Sequence, residues 1–411
     1  MRFLIPISLL VLGSLLPSPV LAYNIEAAWQ RICENSPELA IDYYEVEARN
    51  GGAYQVSLYP NPELGVEADN LVGSRKDCIG DMEFGAVVTQ PIVTGGKICK
   101  RIAAANSAVI EAEWDYEMTK ANLRERLEKA FISIAILQEK YKDSQRSFQL
   151  AQTAYQSSQH LATQGKITLL QTKKAGITLR HEEMHSNKLA LELEQARLNL
   201  ALLWNGCEVD FDIINYPISC ITPPPCIDNL CAYISNYPEI AKSLALVELA
   251  RNSYEAELAE RYPDFAVTAG YKNYWNCNGH ALVLALSVPL PVFDRNQGNI
   301  CRMQALIQKA EYNSVLIRNQ NFAVLQIEHK RALNAYNRAL SIQNGLLKEI
   351  EESLHITMEA FNEGKITQLE LIDTQKTYTE CKSDYLDALL EYHFSMITIS
   401  KLTGANACKL P

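Results

Sequence analysis

The chain has 411 residues, 48% hydrophobic, 21% charged and 8% aromatic, a balance that excludes disorder and a collagen-like chain and leaves room for ordinary hydrophobic cores. Lys and Arg number 38 against 48 Asp and Glu, a formal charge of −10. No broad electrostatic grip on nucleic acid or an anionic lipid face is expected from that balance.

Residues 1–22 open with Met1-Arg2, run apolar to Leu16 and close on Ser18-Pro-Val-Leu-Ala22. That order of charge, apolar core and small residue is expected of a cleavable secretory signal. The apolar run is short against the roughly 20 residues of a membrane-spanning helix, which makes a retained anchor the weaker alternative. No cysteine stands at the cleavage point, so lipid attachment there is not indicated.

The remainder reads as two copies of one unit, offset by roughly 200 residues. Ser36-Pro-Glu-Leu-Ala40 returns as Tyr237-Pro-Glu-Ile-Ala241, Gly96-Lys-Ile-Cys99 as Gly298-Asn-Ile-Cys301, and Gly165-Lys-Ile-Thr168 is identical to Gly364-Lys-Ile-Thr367. The first copy covers 23–206, with strands expected at about 63–70 and 82–90 and helices at about 97–164 and 168–203. A connector at 207–229, holding Pro217 and Pro223-Pro224-Pro225, cannot sustain a helix. The second copy covers 230–404, with strands at about 264–274 and 280–290 and helices at about 298–363 and 367–402; a tail follows at 405–411.

The strand segments alternate with period two: Leu64, Val66 and Ala68 against Gly65, Glu67 and Asp69, and Leu282, Leu284 and Leu286 against Ala281, Val283 and Ala285. Each has room to cross an outer membrane at a tilt, which takes about 9–11 residues. Proline is absent between Pro91 and Pro217 and between Pro291 and Pro411. Each of those stretches divides at a glycine into a helix of about 66 residues and one of about 35, the longer reaching ~100 Å. Apolar residues recur there with the coiled-coil period. The predicted stripe Leu127, Ile134, Tyr141, Phe148 and Tyr155 is answered by Leu170, Ile177, Met184, Leu191 and Leu198. In the second copy Leu333, Leu340, Leu347, Leu354 and Phe361 are answered by Leu371, Tyr378, Tyr385, Tyr392 and Ile399. So few strands leave two unpaired edges, and hydrocarbon does not tolerate unsatisfied amides, so the edges must close against other chains.

The signal, the repeated order of two strands, long helix and shorter helix, and the segment Val288-Pro-Leu-Pro-Val-Phe-Asp-Arg-Asn-Gln-Gly-Asn-Ile300 together resemble the TolC-like outer-membrane efflux factors. Within that family the segment is most similar to the heavy-metal branch. The resemblance implies a mainly α fold with a small β part: a homotrimer whose strands form one transmembrane β-barrel in outer-membrane lipid, continued by coiled-coil helices into a periplasmic tunnel. It implies a periplasmic adaptor and an inner-membrane efflux pump as partners, no enzyme activity and no cofactor. It places a channel gate at Glu370 and Asp373, one helical turn apart, where protonation loosens a ring of carboxylates. Spacing alone fits an ordinary solvated helix face as well, and the first copy has Gln171, Thr172 and Lys173 there. The resemblance assigns the hairpin tips Gly165, Lys166, Gly364 and Lys365 to adaptor contact; helix reversal by itself also asks for glycine. Drug efflux or protein secretion on the same scaffold is the rival function. A soluble periplasmic coiled-coil protein explains the heptads but not the alternating strands.

Two features stand apart. His181-Glu-Glu-Met-His185 matches the zinc-protease pattern, but on a continuous coiled coil with Met184 in the seam both histidines are expected to be exposed and without a third ligand. No metal site is expected from them. Among eleven cysteines, Cys78 and Cys277 fall in corresponding loops between strands, a candidate disulfide or cross-link. Cys220, Cys226 and Cys231 cluster in and beside the connector without a strong zinc spacing.

Overall fold

The structure is a computed structural model and describes residues 24–69, 82–209, 211, 213–274, 279–363 and 365–404. The signal segment, Cys78, Cys277, Gly364 and the tail at 405–411 lie outside the described residues. The first repeat runs α1 (Ile25–Asn35), α2 (Pro37–Ser57), β1 (Glu63–Asp69), β2 (Glu83–Ile92), α3 (Lys97–Thr163) and α4 (Leu169–Leu202). The second runs α5 (Ile227–Tyr233), α6 (Pro238–Ala259), β3 (Phe265–Tyr274), β4 (Gly279–Ser287), α7 (Gln297–Ser341), α8 (Leu347–Asn362) and α9 (Gln368–Thr403).

Helices α1, α2, α5 and α6 are absent from the sequence expectation, and α5 begins at Ile227, inside the connector expected at 207–229 and two residues past Pro225. For α2 and α6 the signal lies at the helix starts. Pro37 and Pro238 each open a helix with Glu38 and Glu239 behind them. Proline there supplies a preset φ at a position whose N–H is unpaired anyway, and an early carboxylate complements the positive end of the helix. The repeated Pro-Glu anchors are therefore helix starts.

The four strands form one antiparallel sheet in the order β1-β2-β3-β4, with β1 and β4 at its edges. Strand β4 ends at Ser287, short of the expected 290, because Pro289 and Pro291 bring no N–H to a ladder. The expected continuous helix over 298–363 is interrupted. A π turn at Ile342–Leu346 separates α7 from α8, with the Leu347 N–H donating to the Ile342 carbonyl. Asn344 and Gly345 are poor helix formers, and the extra residue shifts the phase of the following turns by about 100°.

The chain divides into two compact units. One comprises Met1–Ser36, Arg126–Ile221 and Asn337–Leu390; its core holds Leu127, Phe131, Ile134, Leu193, Leu200 and Leu389. The other comprises Pro37–Glu125, Thr222–Tyr336 and Glu391–Pro411. Leu123, Leu230, Leu325, Ala332, Tyr392 and Ile399 are buried there, and the Tyr392 hydroxyl donates to the Thr222 carbonyl at 2.6 Å. Among the described residues no helix is long and apolar enough to cross a membrane.

The heptad expectation for α4 is corrected. Leu170, Ile177, Met184, Leu191 and Leu198 are all exposed, Met184 at 70%. The buried residues of α4 are Ala175, Leu189, Leu193, Leu200 and Ala201. Contact with the expected partner stripe falls one residue earlier, where Gly176 sits against the Tyr155 ring. Helix α4 carries two apolar stripes, and the larger side chains lie on the one that its own hairpin leaves uncovered. On α7 Ala332, Ala335 and Ala339 are likewise buried, whereas Leu333 beside them is exposed. On α9 the expected Leu371, Tyr392 and Ile399 are buried.

Candidate channel site

Strand register sorts the sheet into two chemically opposite faces. Val66 pairs with Ala86, Ala86 with Tyr271, and Tyr271 with Leu282. That face continues through Leu64, Val88, Leu284 and Leu286, all exposed, with Leu282 at 85%. So broad an uncovered apolar surface is what a transmembrane strand turns toward lipid. The opposite face carries Glu67, Asp69, Glu83 and Lys272, and farther along the Thr89 and Thr268 hydroxyls hydrogen bond at 2.9 Å. Polar side chains on the inner face are the complementary half of a barrel wall.

Where strand β2 passes into α3, Gly95 and Gly96 adopt φ of 65° and 69°. A Cβ on Gly95 would lie 2.9 Å from the Tyr262 side chain, so both backbone angle and space demand glycine there. Lys97, the first residue of α3, has its side chain only 5% exposed and places Nζ 2.8 Å from Asp264 Oδ2 and 3.4 Å from Glu260 Oε2. The Thr94 N–H donates to Asp264 Oδ1 at 2.8 Å, and its hydroxyl donates to the Pro263 carbonyl at 2.6 Å. Burial pushes the Asp264 carboxyl up, but the Lys97 ammonium and the Thr94 N–H outweigh it and hold the group below its ordinary value. These contacts fasten the start of α3 to the start of β3. In the second repeat Asn296, at φ 59°, donates instead from its amide to the Glu257 backbone carbonyl at 2.9 Å.

The tips of the hairpins use one device twice. Gly165 has φ 72°, and the Lys166 N–H reaches back to the Leu161 carbonyl while the Gly165 N–H reaches Ala162, both at 3.0 Å. This is the left-handed glycine C-cap. Thr168 then caps α4 by accepting from the Gln171 N–H, as Gln171 Oε1 accepts from the Thr168 N–H at 2.8 Å. In the second repeat the Lys365 N–H bonds the Ala360 carbonyl at 2.8 Å. Thr367 and Glu370 exchange the matching pair of contacts at 3.1 and 3.4 Å. The capping box satisfies backbone donors that a helix start leaves bare. The repeated Lys-Ile-Thr motif is thereby explained locally, and Glu370 is the acid of a cap. Lys166, Lys365, Glu370 and Asp373 are all exposed.

The His-Glu-Glu-Met-His segment forms no metal centre among the described residues. His181 is 78% exposed, with Nδ1 3.8 Å from Glu182. The expectation that Met184 covers a seam beside it does not hold, since Met184 shares the exposed stripe. Cys220, Cys226 and Cys231 are free thiols.

A sheet with one lipid-type face and one polar face, carried in a duplicated chain with long helical hairpins, defines a membrane channel of the efflux type. The family model for outer membrane efflux proteins matches residues 28–206 and 232–405, and the chain belongs to that family. Among curated relatives, the cobalt-zinc-cadmium resistance protein CzcC of Cupriavidus metallidurans is 26% identical over 386 residues, 93% of this chain and 90% of that protein. The fold matches crystal structures of CusC with a TM-score of 0.79 at 15% identity, over 94% of this chain and 93% of that one. It also matches VceC of Vibrio cholerae with a TM-score of 0.74 at 15% identity, over 93% of this chain and 96% of that one. The protein is thus an outer-membrane efflux channel with two repeats of strands and helical hairpin.

Proposed function

We propose that this channel is the passive exit duct of a tripartite assembly and that its cargo is heavy-metal cations. It works as a homotrimer with a periplasmic adaptor and an inner-membrane pump, and passes cargo without chemical conversion. The observation that carries the cargo assignment is the likeness to a cobalt-zinc-cadmium resistance protein along 93% of the chain. Trimer closure is supported by the open edges β1 and β4, which cannot remain unpaired in hydrocarbon. The exposed tips at Gly165, Lys166 and Lys365, with Gly364 at the equivalent position, meet the adaptor. Glu370 and Asp373 supply the acidic ring of the gate, and their exposure at the start of α9 suits that role.

Susceptibility of a deletion strain to zinc, cobalt and cadmium, with accumulated metal measured directly, tests the cargo. Raised metal accumulation restored by the wild-type chain is expected. Sensitivity confined to drugs, with normal metal content, moves the duct to drug efflux.

A further inference from the structure

On the polar face of the sheet, Lys272 lies across a strand to reach the next one. Its partner in β2 is Gly85, and the partner of Gly85 in β1 is Glu67. A Cβ on Gly85 would stand 3.0 Å from Lys272 Cγ and 3.6 Å from its Cε, so the lysine stem occupies the channel left by the missing side chain. Its Nζ then stands 2.8 Å from Asp69, 3.6 Å from Glu67 and 3.7 Å from Glu83. The Lys272 side chain is only 18% exposed, whereas Glu67 and Asp69 remain about half exposed, at 47% and 53%. A single ammonium thus sits among three carboxylates, against the polar wall.

We infer that Lys272 sets the permeation specificity of the barrel by acting as a resident counter-ion. Three carboxylates converging without it would offer a divalent cation the hard oxygen ligands it prefers. A conducting wall must attract ions yet release them. With Lys272 in place each chain keeps a net charge of −2 among these four groups, counting three acids and one lysine. That surplus favours cations, and the ammonium fills the position where a divalent ion would lodge. The glycine opposite is what allows the ammonium to reach that position.

The inference rests on the sheet being the wall of an assembled pore, and wild-type conductance in planar bilayers tests that premise separately. Purified full-length channels are compared as wild type, Lys272→Met and Lys272→Arg in potassium chloride, with and without millimolar magnesium. Lys272→Met is expected to raise potassium-over-chloride preference and to lower the half-blocking magnesium concentration by about fivefold or more, the scale of one unit charge at about 4 Å in water. Lys272→Arg is expected to behave as wild type. Glu67→Gln with Asp69→Asn, which keeps the lysine, is expected to shift selectivity toward chloride; it provides the decision should Lys272→Met fail to assemble. Unchanged reversal potential and magnesium block in Lys272→Met, or in the carboxylate double variant, would overturn the role of Lys272 and leave it a cross-strand brace. Absence of wild-type channels overturns the pore itself, and the inference with it.

Discussion

Glu370 and Thr367 hold each other at the start of α9: the carboxylate accepts the Thr367 N–H at 3.1 Å, and the Thr367 hydroxyl accepts the Glu370 N–H at 3.4 Å. The acid proposed for the gate is therefore also a helix cap. The first repeat supplies the control that separates the two roles, because Gln171 makes the same box with Thr168 without a charge.

Glu370→Gln combined with Asp373→Asn is expected to raise the conductance of the isolated channel while keeping the capping box, so that its thermal midpoint falls only by the charge lost at the helix start. Glu370→Ala with Asp373→Ala raises conductance too but also loses part of the cap, at a cost of about 1 kcal/mol. Planar-bilayer recordings beside thermal melts of the same preparations check this. Unaltered conductance and cation selectivity in the amide pair would remove the gate.

At the other hairpin tip, Gly165 is held at φ 72° with nothing within 4 Å of the position a Cβ would take. Alanine there meets no obstacle, so its whole penalty is the left-handed backbone, about 1 kcal/mol. Gly165→Ala is expected to lower the thermal midpoint, and Gly165→Asn to lower it less. Lys166→Ala is expected to leave the melt unchanged and to weaken cross-linking to the proposed adaptor. A Lys166→Ala variant that melts early would assign the lysine to hairpin stability instead.

The strands and long helices were legible because each rests on a local regularity. Period-two alternation gives the face on which Val66 and Leu282 lie, and a proline-free stretch permits a helix such as α3, at 67 residues. Helices α2 and α6 are hidden in the sequence because their signal, at Pro37 and Pro238, is a start rather than a period. The α4 seam misled for another reason. Heptad periodicity identifies an apolar stripe but not what covers it, and Ala175 and Gly176 are too small to register beside Ile177. Lys272 gave no sequence signal at all, since its carboxylate partners come from β1 and β2, about 190–205 positions earlier by their numbering.

The uncovered stripe of α4 makes assembly testable. Met184 and Leu191 are exposed in the single chain, and a neighbouring copy is the occupant that the trimer proposal requires. Leu191→Asp or Met184→Asp is expected to weaken subunit association by about tenfold or more per site, the worth of burying one such side chain. Helical circular dichroism of the chain stays intact. Light scattering in detergent reads the mass; trimers of wild-type stability in both variants would place the stripe outside the subunit contact.

The Lys97–Asp264 pair predicts a pH dependence with a definite sign. Asp264 is held below its ordinary value, mainly by Lys97 and the Thr94 N–H against the opposing effect of burial. A depressed carboxyl contributes stability that is fully present above its unfolded pKa, about 3.9, and is lost as pH falls through the lower folded value. Asp264→Asn is expected to cost about 1–3 kcal/mol near neutral pH, since it takes one partner from a buried ammonium while Glu260 remains. The gap between the wild-type and Asp264→Asn melting midpoints should therefore stay level from about pH 8 to 5 and narrow below about pH 4. Thermal melts across that range measure it. A gap that widens on acidification would mean that Asp264 is protonated in the folded chain and that the junction is held by Glu260 alone.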